Sequence, residues 1–206
     1  RQWSRGNRPS VGDLLLTPGN AQRVADQLSR LRGAAMKVGQ LLSMDAGDLM
    51  PPELAAILAR LRADAQAMPM SQLVPVLEAA WGAGWDRHFE RFSFTPLAAA
   101  SIGQVHAAQL KSGERLAIKL QYPGVRQSIS SDVDNVATLL RVSGLLPRTL
   151  DFAPLLEEAK RQLHDEADYL KEAAHLESYR GRLAAEGAFA LPAVHAELLG
   201  QLKSEL

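Results

Sequence analysis

The chain has 206 residues, of which 47% are hydrophobic, enough for one large domain or two small ones with a real core. Lysine plus arginine and aspartate plus glutamate each total 23, so the net charge is zero and the basic excess of a nucleic-acid binder is missing. With no cysteine and five scattered histidines, the sequence offers neither disulfides nor metal-ligand spacing. The longest charge-free stretch, 92–110, is broken by a proline and several polar side chains, so no transmembrane helix is predicted.

The N-terminal region is predicted to be a loose arm followed by helices. Residues 1–18 are rich in Arg, Gly, Pro and Ser and lack both an initiator Met and a signal-like apolar core. We therefore expect no signal peptide, and we expect the chain to start inside a longer open reading frame. From Gly19 onward, apolar residues recur at alternating steps of four and three, which predicts a helix with Gly33 as a candidate bend.

Lys37 and Gln40 lie three residues apart in this helix, so they are predicted to project from one face. Gly39 lies between them, and a glycine there costs roughly 1 kcal/mol of helix stability relative to Ala. It therefore indicates the close approach of another backbone or of a ligand. The alternative is an exposed lysine beside a tolerated glycine, and the pattern taken alone favours that simpler interpretation.

Two further helices are predicted before the strands. The first begins at Pro51-Pro52, because proline is allowed in the first turn of a helix. The second spans Gln72–Trp81, with Ser71 as its N-cap and Gly82 as its stop.

Three strands are predicted at roughly 92–97, 103–110 and 115–122, and the last two are joined by a turn with Gly113 in third place. The loop before the second strand consists of small residues, namely Ala98, Ala99, Ala100, Ser101, Ile102 and Gly103. A small-residue loop followed by a strand lysine is how a kinase-like lobe covers and pins the phosphates of a nucleotide. The alternative for the loop alone is a packing turn.

Lys119 is the lysine that follows this loop. Its neighbours Ala117, Ile118 and Leu120 are apolar, so at least one face of the sheet is expected to be covered here. A lysine in such a strand needs a partner, because an unpaired buried charge is costly. The alternative is a lysine at a sheet edge whose ammonium group reaches water.

An acidic helix downstream is predicted to supply that partner. A helix over 130–143, capped by Ser131 or Asp132, precedes it, and the acidic helix itself runs from Asp151 or Phe152 to about 184. At about 100° per residue, Glu166 lies about 60° from the apolar line through Leu163 and borders the buried face. We therefore predict that Glu166 pairs with Lys119.

Asp168 and Glu172 lie four residues apart on the opposite side of the predicted helix. These two carboxylates can face another helix, and a solvated acidic face is the alternative. Residues 189–194 are predicted to form a further strand.

The second half of a phosphoryl-transfer site is not recognisable in the sequence. No catalytic-loop pattern follows the acidic helix, and such a site needs a carboxylate base and metal ligands. Asp151-Phe152-Ala153 is similar to a metal-binding DFG motif, but it precedes the acidic helix, so helix capping explains it better. The chain is therefore predicted to hold a nucleotide-cradling half without its catalytic half.

Four segments together resemble the AarF/UbiB family of atypical kinases, which is related to the mitochondrial coenzyme Q kinases. Residues 32–43 resemble the family's KxGQ signature, and residues 96–106 resemble its alanine-rich loop. Residues 116–125 resemble its lysine strand, and residues 166–173 resemble its ExD signature. The four occur in the family's order over roughly residues 15–195.

The resemblance implies an α+β fold with three parts. These are a flexible arm over 1–18, a helical KxGQ extension over 19–91, and a protein-kinase-like N-lobe over 92–206 with a small antiparallel sheet and the long acidic helix. The catalytic C-lobe of the family is absent from the sequence, so catalysis by these 206 residues alone is not expected.

The resemblance also implies site residues. ATP is expected at residues 98–103 and at Lys119, whose ammonium group would contact the α/β-phosphates. Glu166 or Glu172 would be the helix partner of Lys119. The position relative to Leu163 selects Glu166, so Lys119 and Glu166 are the predicted catalytic residues. Mg²⁺ is expected as a cofactor whose ligands belong to the absent C-lobe, and no metal ligand is predicted in this chain.

A latch is expected over the nucleotide. The KxGQ residues Lys37, Gly39 and Gln40 would meet the remaining ExD carboxylates, with Lys37 pairing with Asp168 or Glu172. In the family this helix lies over the site where a peptide would bind, which favours a lipid, small-molecule or ATPase role over protein phosphorylation.

The implied activity is that of an ATP-dependent kinase or ATPase linked to ubiquinone, or isoprenoid lipid, metabolism. The expected partners are ATP, an isoprenoid lipid or quinone-biosynthesis proteins, without nucleic acid. The expected location is cytoplasmic with contact to a membrane surface. One alternative is a non-catalytic, pseudokinase-like lobe that binds a lipid or protein partner. Another is a helical interaction protein with a small sheet.

Overall fold

The computed structural model describes residues 23–28, 31–45, 52–63, 67–143, 153–184 and 190–199, so the predicted arm over 1–18 lies outside the described residues. Residues 23–28 are helical. The labelled helices are α1 (Arg32–Asp45), α2 (Pro52–Ala63), α3 (Met70–Trp81), α4 (Val125–Ser143), α5 (Ala153–Ala167), α6 (Tyr169–Leu183) and α7 (Ala196–Leu199). The strands are β1 (Phe89–Ala99), β2 (Gly103–Leu110) and β3 (Arg115–Gln121), and a 3₁₀ turn over Trp85–His88 leads into β1.

The described residues form two compact units. The first contains those within 23–63 and 127–163, and the second contains those within 67–126 and 164–199. The predicted boundary between residues 91 and 92 falls inside β1, because the strand begins at Phe89. The helix α3 belongs to the second unit with the sheet.

The described part of the first unit is helical, and its core consists of apolar residues from its helices. Buried positions recur along α4 at steps of three and four, which is the spacing that places them on one helix face: Ile129, Val133, Val136, Ala137 and Leu140. This helix begins at Val125, directly after a turn in which Gly124 adopts φ 74°. The predicted caps Ser131 and Asp132 are therefore wrong, since both lie inside the helix.

Gly39 lets α1 approach α2 closely within this unit. A Cβ atom added at Gly39 would overlap with the side chain of Leu58, which is buried. The sequence predicted close approach by a backbone or a ligand at this glycine. The structure instead brings up an apolar side chain from the neighbouring helix.

The sheet of the second unit is antiparallel in the order β1-β2-β3. The β2–β3 ladder is regular from Gly103 opposite Gln121 to Gln109 opposite Arg115. Gly113 has φ 90° in the turn between them, where glycine carries no steric cost. Helices plus this sheet confirm the predicted α+β class.

One face of the sheet packs on α3 and the aromatic residues that follow it. This core contains Met68, Leu73, Leu77, Trp81, Trp85, Phe89, Ala108, Ile118 and Leu120. The predicted helix over 72–81 is present, but it begins at Met70 after Pro69 and has no side-chain cap. The predicted cap Ser71 is therefore wrong, because it lies in the first turn of the helix.

The predicted long acidic helix is broken at Asp168. This residue has φ −92° and ψ 88°, and its carboxylate accepts hydrogen bonds from the backbone N–H groups of Leu170 and Lys171, both at 3.2 Å. Asp168 is thus the N-cap of α6 rather than a residue on a helix face.

The predicted strand at 189–194 is wrong for its described residues, since 190–195 form neither strand nor helix. The backbone N–H of Val194 donates to Glu177 at 3.1 Å instead, and Trp81 Nε1 donates to the carbonyl of Leu198 at 2.9 Å. Within the described part of the chain, no helix is both long and apolar enough to cross a membrane.

Candidate functional site

The register of the sheet places small residues and one lysine on its open face. Ala98 pairs with Val105, which in turn pairs with Lys119, and Ala107 pairs with Ala117 in the next row. Directly paired residues project to the same side of a sheet. These side chains are half-buried or exposed, whereas the alternating residues of β2 and β3 are buried on the opposite face. The open face of the sheet is therefore a surface of small apolar side chains that also carries the ammonium group of Lys119.

Lys119 is held by Glu172 of α6. Its Nζ donates to Oε1 at 2.6 Å and to Oε2 at 2.8 Å. The same Nζ lies 5.1 Å from the centre of the Tyr169 ring, within the range of a cation–π contact. The two charged side chains are 31% and 48% exposed. Ion pairs at such exposure contribute little to stability, so the pair mainly orients a cation that solvent and a ligand can still reach.

Glu166 is not the partner of Lys119, so the predicted pairing is wrong. The prediction extended one helix through residue 166, whereas the chain leaves the helix at Asp168 and resumes it one residue later. Positions before and after such a break no longer share a common helical wheel. As a result Glu172, which was predicted to face away from Glu166, meets Lys119.

Glu166 instead contacts the alanine-rich turn. Ser101 Oγ donates to Glu166 Oε2 at 2.7 Å. The residue after Glu166 is held as well, because Gln121 Nε2 at the end of β3 donates to the carbonyl of Ala167 at 2.6 Å. Two side chains thus fasten the segment before Asp168 to the β1–β2 turn and to the lysine strand.

The alanine-rich loop is shorter than predicted. Ala98 and Ala99 belong to β1, and the Ala100 N–H closes the turn by donating to the carbonyl of Gly103 at 2.9 Å. Ile102 and Gly103 are buried, so of the six predicted residues only 98–101 present side chains to solvent. A Cβ at Gly103 would overlap with the carbonyl oxygen of Leu120. The close passage of β3 therefore explains this glycine.

Tyr169 is a site residue that the sequence analysis missed. Its hydroxyl oxygen is buried and makes no hydrogen bond with any residue that the structure describes. Burial and, after it, the negative charge of Glu172 raise the pKa of Tyr169, while the neighbouring Gln121 amide opposes the shift. A buried polar atom of this kind is unusual, and here it lies beside the lysine ion pair. An Asp followed by an aromatic residue inside a predicted helix was the available signal, because Asp is a strong N-cap.

The KxGQ residues lie on α1, in the first unit. Lys37 is buried, whereas Gln40 is exposed, so the two differ in environment despite their spacing. Hydrogen bonds from Arg161 and Gln162 lower the pKa of Glu158 to about 2, and the charge of Lys37 adds a smaller effect in the same direction. Lys37 thus has an acidic neighbour on α5 of its own unit. Its expected pairing with Asp168 or Glu172 stays a prediction.

Among the described side chains, no three His, Cys, Asp or Glu residues are grouped so that they could hold a metal ion. These residues therefore do not fit a Mg²⁺ site.

The chain is similar to known proteins over most of its length. Residues 60–201 match the family described as ABC1 atypical kinase-like domain. "Atypical kinase COQ8, mitochondrial" of Saccharomyces cerevisiae is 42% identical over 194 residues, which cover 94% of this chain and 39% of that protein. "AarF domain-containing protein kinase 1" of Xenopus laevis is 34% identical over 179 residues, which cover 87% of this chain and 34% of that protein.

A solved structure, the complex of Rv3197 with erythromycin from Mycobacterium tuberculosis, matches with 31% identity and a TM-score of 0.49, covering 84% of this chain and 46% of that one. The chain spans between 34% and 39% of the length of the two curated relatives above. The family match covers more than half of the chain and confirms both the resemblance and the kinase-like N-lobe. The protein belongs to the ABC1 (AarF/UbiB) family of atypical kinase-like proteins.

Proposed function

We propose that the chain is the ATP-binding part of a UbiB-type atypical kinase or ATPase linked to ubiquinone metabolism. The observation that carries the proposal is the row Ala98, Val105 and Lys119 on the open face of the sheet. Small apolar side chains accept the flat face of a base, and a neighbouring ammonium group attracts phosphates.

The ion pair with Glu172 supports this assignment. It holds Lys119 at its two carboxylate oxygens and leaves the Lys119 side chain 31% exposed. A phosphate can therefore approach the cation without first breaking a buried pair. In kinase-like proteins such a strand lysine and helix glutamate form part of the phosphoryl-transfer machinery.

Tyr169 belongs to the same site, because its ring lies 5.1 Å from the ammonium group of Lys119. Its hydroxyl oxygen is buried, so a ligand on the open face meets Lys119 rather than that oxygen. When bound, ATP supplies the transferable phosphoryl group, and the residues described here bind and orient it.

The family resemblance implies Mg²⁺ ligands in a C-lobe and contact with an isoprenoid lipid, a quinone-biosynthesis protein or a membrane surface. The compartment was predicted to be cytoplasmic, whereas the name of the yeast relative places that protein in mitochondria. The non-catalytic lobe stays the alternative function.

Calorimetric titration of the purified chain with ATP tests the assignment. We expect Lys119→Met to weaken ATP binding by about tenfold or more, because a charge-assisted contact to phosphate is lost. Lys111→Met is the matched control, since Lys111 is an exposed lysine in the β2–β3 turn of the same sheet. Equal ATP affinity in Lys119→Met and the unmodified chain would remove the phosphate-contact role and favour the non-catalytic alternative.

A further inference from the structure

Two fully buried polar side chains lie on the closed face of the sheet. Gln104 is 1% exposed and His106 is 0% exposed, and both project from β2 away from the Lys119 face. Burial of polar groups is costly unless each finds a hydrogen-bond partner. Here the two side chains are joined to each other and to two backbone groups.

Gln104 and His106 form a hydrogen-bond relay from the Met68 N–H to the Ser93 carbonyl. The direction of every hydrogen bond in this relay follows from one backbone donor. The Met68 N–H donates to Gln104 Oε1 at 2.8 Å, which fixes the orientation of the Gln104 amide. Gln104 Nε2 then donates to His106 Nε2 at 2.8 Å, so Nε2 must carry no proton. His106 Nδ1 must therefore be protonated and donate to the carbonyl of Ser93 at 2.7 Å.

The relay ends at an irregular part of the β1 ladder. Besides a shift between Phe89 and Arg91, the pairing of β1 with β2 is irregular between Phe92 and Pro96 and again between Pro96 and Ala98. Pro96 stands opposite His106 and has no N–H to give to the ladder. The His106 ring stacks on Phe92 with centroids 5.4 Å apart and planes 18° from parallel. It thus holds this bulged part of β1 through its ring and through its Nδ1–H.

We propose that Gln104 and His106 are positioning residues for the alanine-rich turn over 98–103. Gln104 follows the turn directly and anchors its outgoing arm to the Met68 backbone. His106 anchors the incoming arm by donating from Nδ1 to the carbonyl of Ser93, near the point where Pro96 has no N–H to give to the ladder. The inference rests on the proposed function only in naming that turn as part of a nucleotide site.

Hydrogen exchange of the nucleotide-free chain tests the positioning directly. We expect Gln104→Met and His106→Phe, which keep approximate volume but remove the relay, to speed exchange at the Ala100 amide about tenfold. Amides in the middle of β3, such as that of Ile118, should change less. Gln109→Met is the matched control, because Gln109 lies on the same strand and its amide bonds only within the adjacent turn, to Gly113 at 3.0 Å.

Unchanged exchange at Ala100 in both variants overturns the proposal, and so does an equal increase throughout the sheet, which marks a merely structural role. The ¹⁵N spectrum of His106 in the unmodified chain gives a second test if the variants fail to fold. A neutral ring with a protonated Nδ1 supports the relay, whereas a protonated Nε2 refutes it.

A parallel ATP titration separates this inference from the proposed function. Weaker ATP binding in Gln104→Met than in Gln109→Met supports the placement of the turn at a nucleotide site. If the unmodified chain binds no ATP, the proposed function fails, while the exchange and tautomer measurements still decide the positioning role.

Discussion

The two faces of the β2–β3 hairpin carry alternate residues of the same two strands. One face presents His106, Ala108, Ile118 and Leu120, all buried against aromatic and aliphatic side chains. The other presents Val105, Ala107, Ala117 and Lys119, which are half-buried or exposed. Because the closed face supplies the packing, the open face is free to carry small residues and a charge. Substitutions on the two faces should therefore separate stability from binding.

Truncation on the closed face should have the largest effect on stability. Leu120→Ala should lower the free energy of unfolding by about 2–5 kcal/mol, since a buried leucine leaves a cavity. Lys119→Met, one residue earlier on the open face, should change it by less than about 1 kcal/mol, because its ion pair is solvent-exposed. Urea unfolding measures both, and similar losses would contradict the division between the faces.

Gly103→Ala should have the next largest effect and lower the free energy of unfolding by about 1–3 kcal/mol. The new Cβ would overlap with the backbone oxygen of Leu120, which cannot move by a change of rotamer. Gly39→Ala should cost less, since its new Cβ meets the end of the Leu58 side chain, which can change rotamer. Chemical unfolding of the two variants gives the comparison. The reverse order would mean that β3 shifts more readily than α2.

Asp168→Ala should destabilise the chain by about 1 kcal/mol, because α6 loses its N-cap. Asp168→Asn should restore most of that loss, since its side-chain oxygen can accept the same backbone N–H bonds. The midpoints of urea unfolding of the two Asp168 variants test this expectation. An equal loss in both variants would assign the effect to the charge of Asp168 rather than to capping.

The smallest effect should be a pH dependence at His195. Its hydrogen bond with Glu197, followed by the charge of Glu114 at the hairpin turn, raises the pKa of His195. A raised folded-state pKa adds stability that is complete below the unfolded value of about 6.5 and disappears as pH rises through the folded value. The stability difference between the chain and His195→Gln should therefore shrink from pH 5.5 to pH 8.5 in thermal unfolding. A difference that grows with pH would contradict this sign.

Local patterns predicted the hairpin well. A turn glycine between β-prone runs predicted β2 and β3, and the structure pairs these two strands on either side of it. The family and its kinase-like lobe were predicted from the signatures and confirmed by the family match. These features depend on near neighbours in the sequence, so they can be derived without a structure.

The partner of Lys119 could not be derived in this way. The apolar line of the acidic helix continues past residue 167, whereas the Asp168 side chain competes for the backbone N–H groups and interrupts the helix. Which carboxylate reaches the strand depends on that interruption. The relay through Gln104 and His106 was likewise missed, because it joins residues up to 36 positions apart.

Gly39 and Leu58 form a coupled pair of positions within the first unit. A Cβ at residue 39 would overlap with the Leu58 side chain, so a larger residue at 39 forces Leu58 to change rotamer. A smaller residue at 58 removes that clash. Gly39→Ala combined with Leu58→Ala should therefore be less harmful than the sum of the two single substitutions.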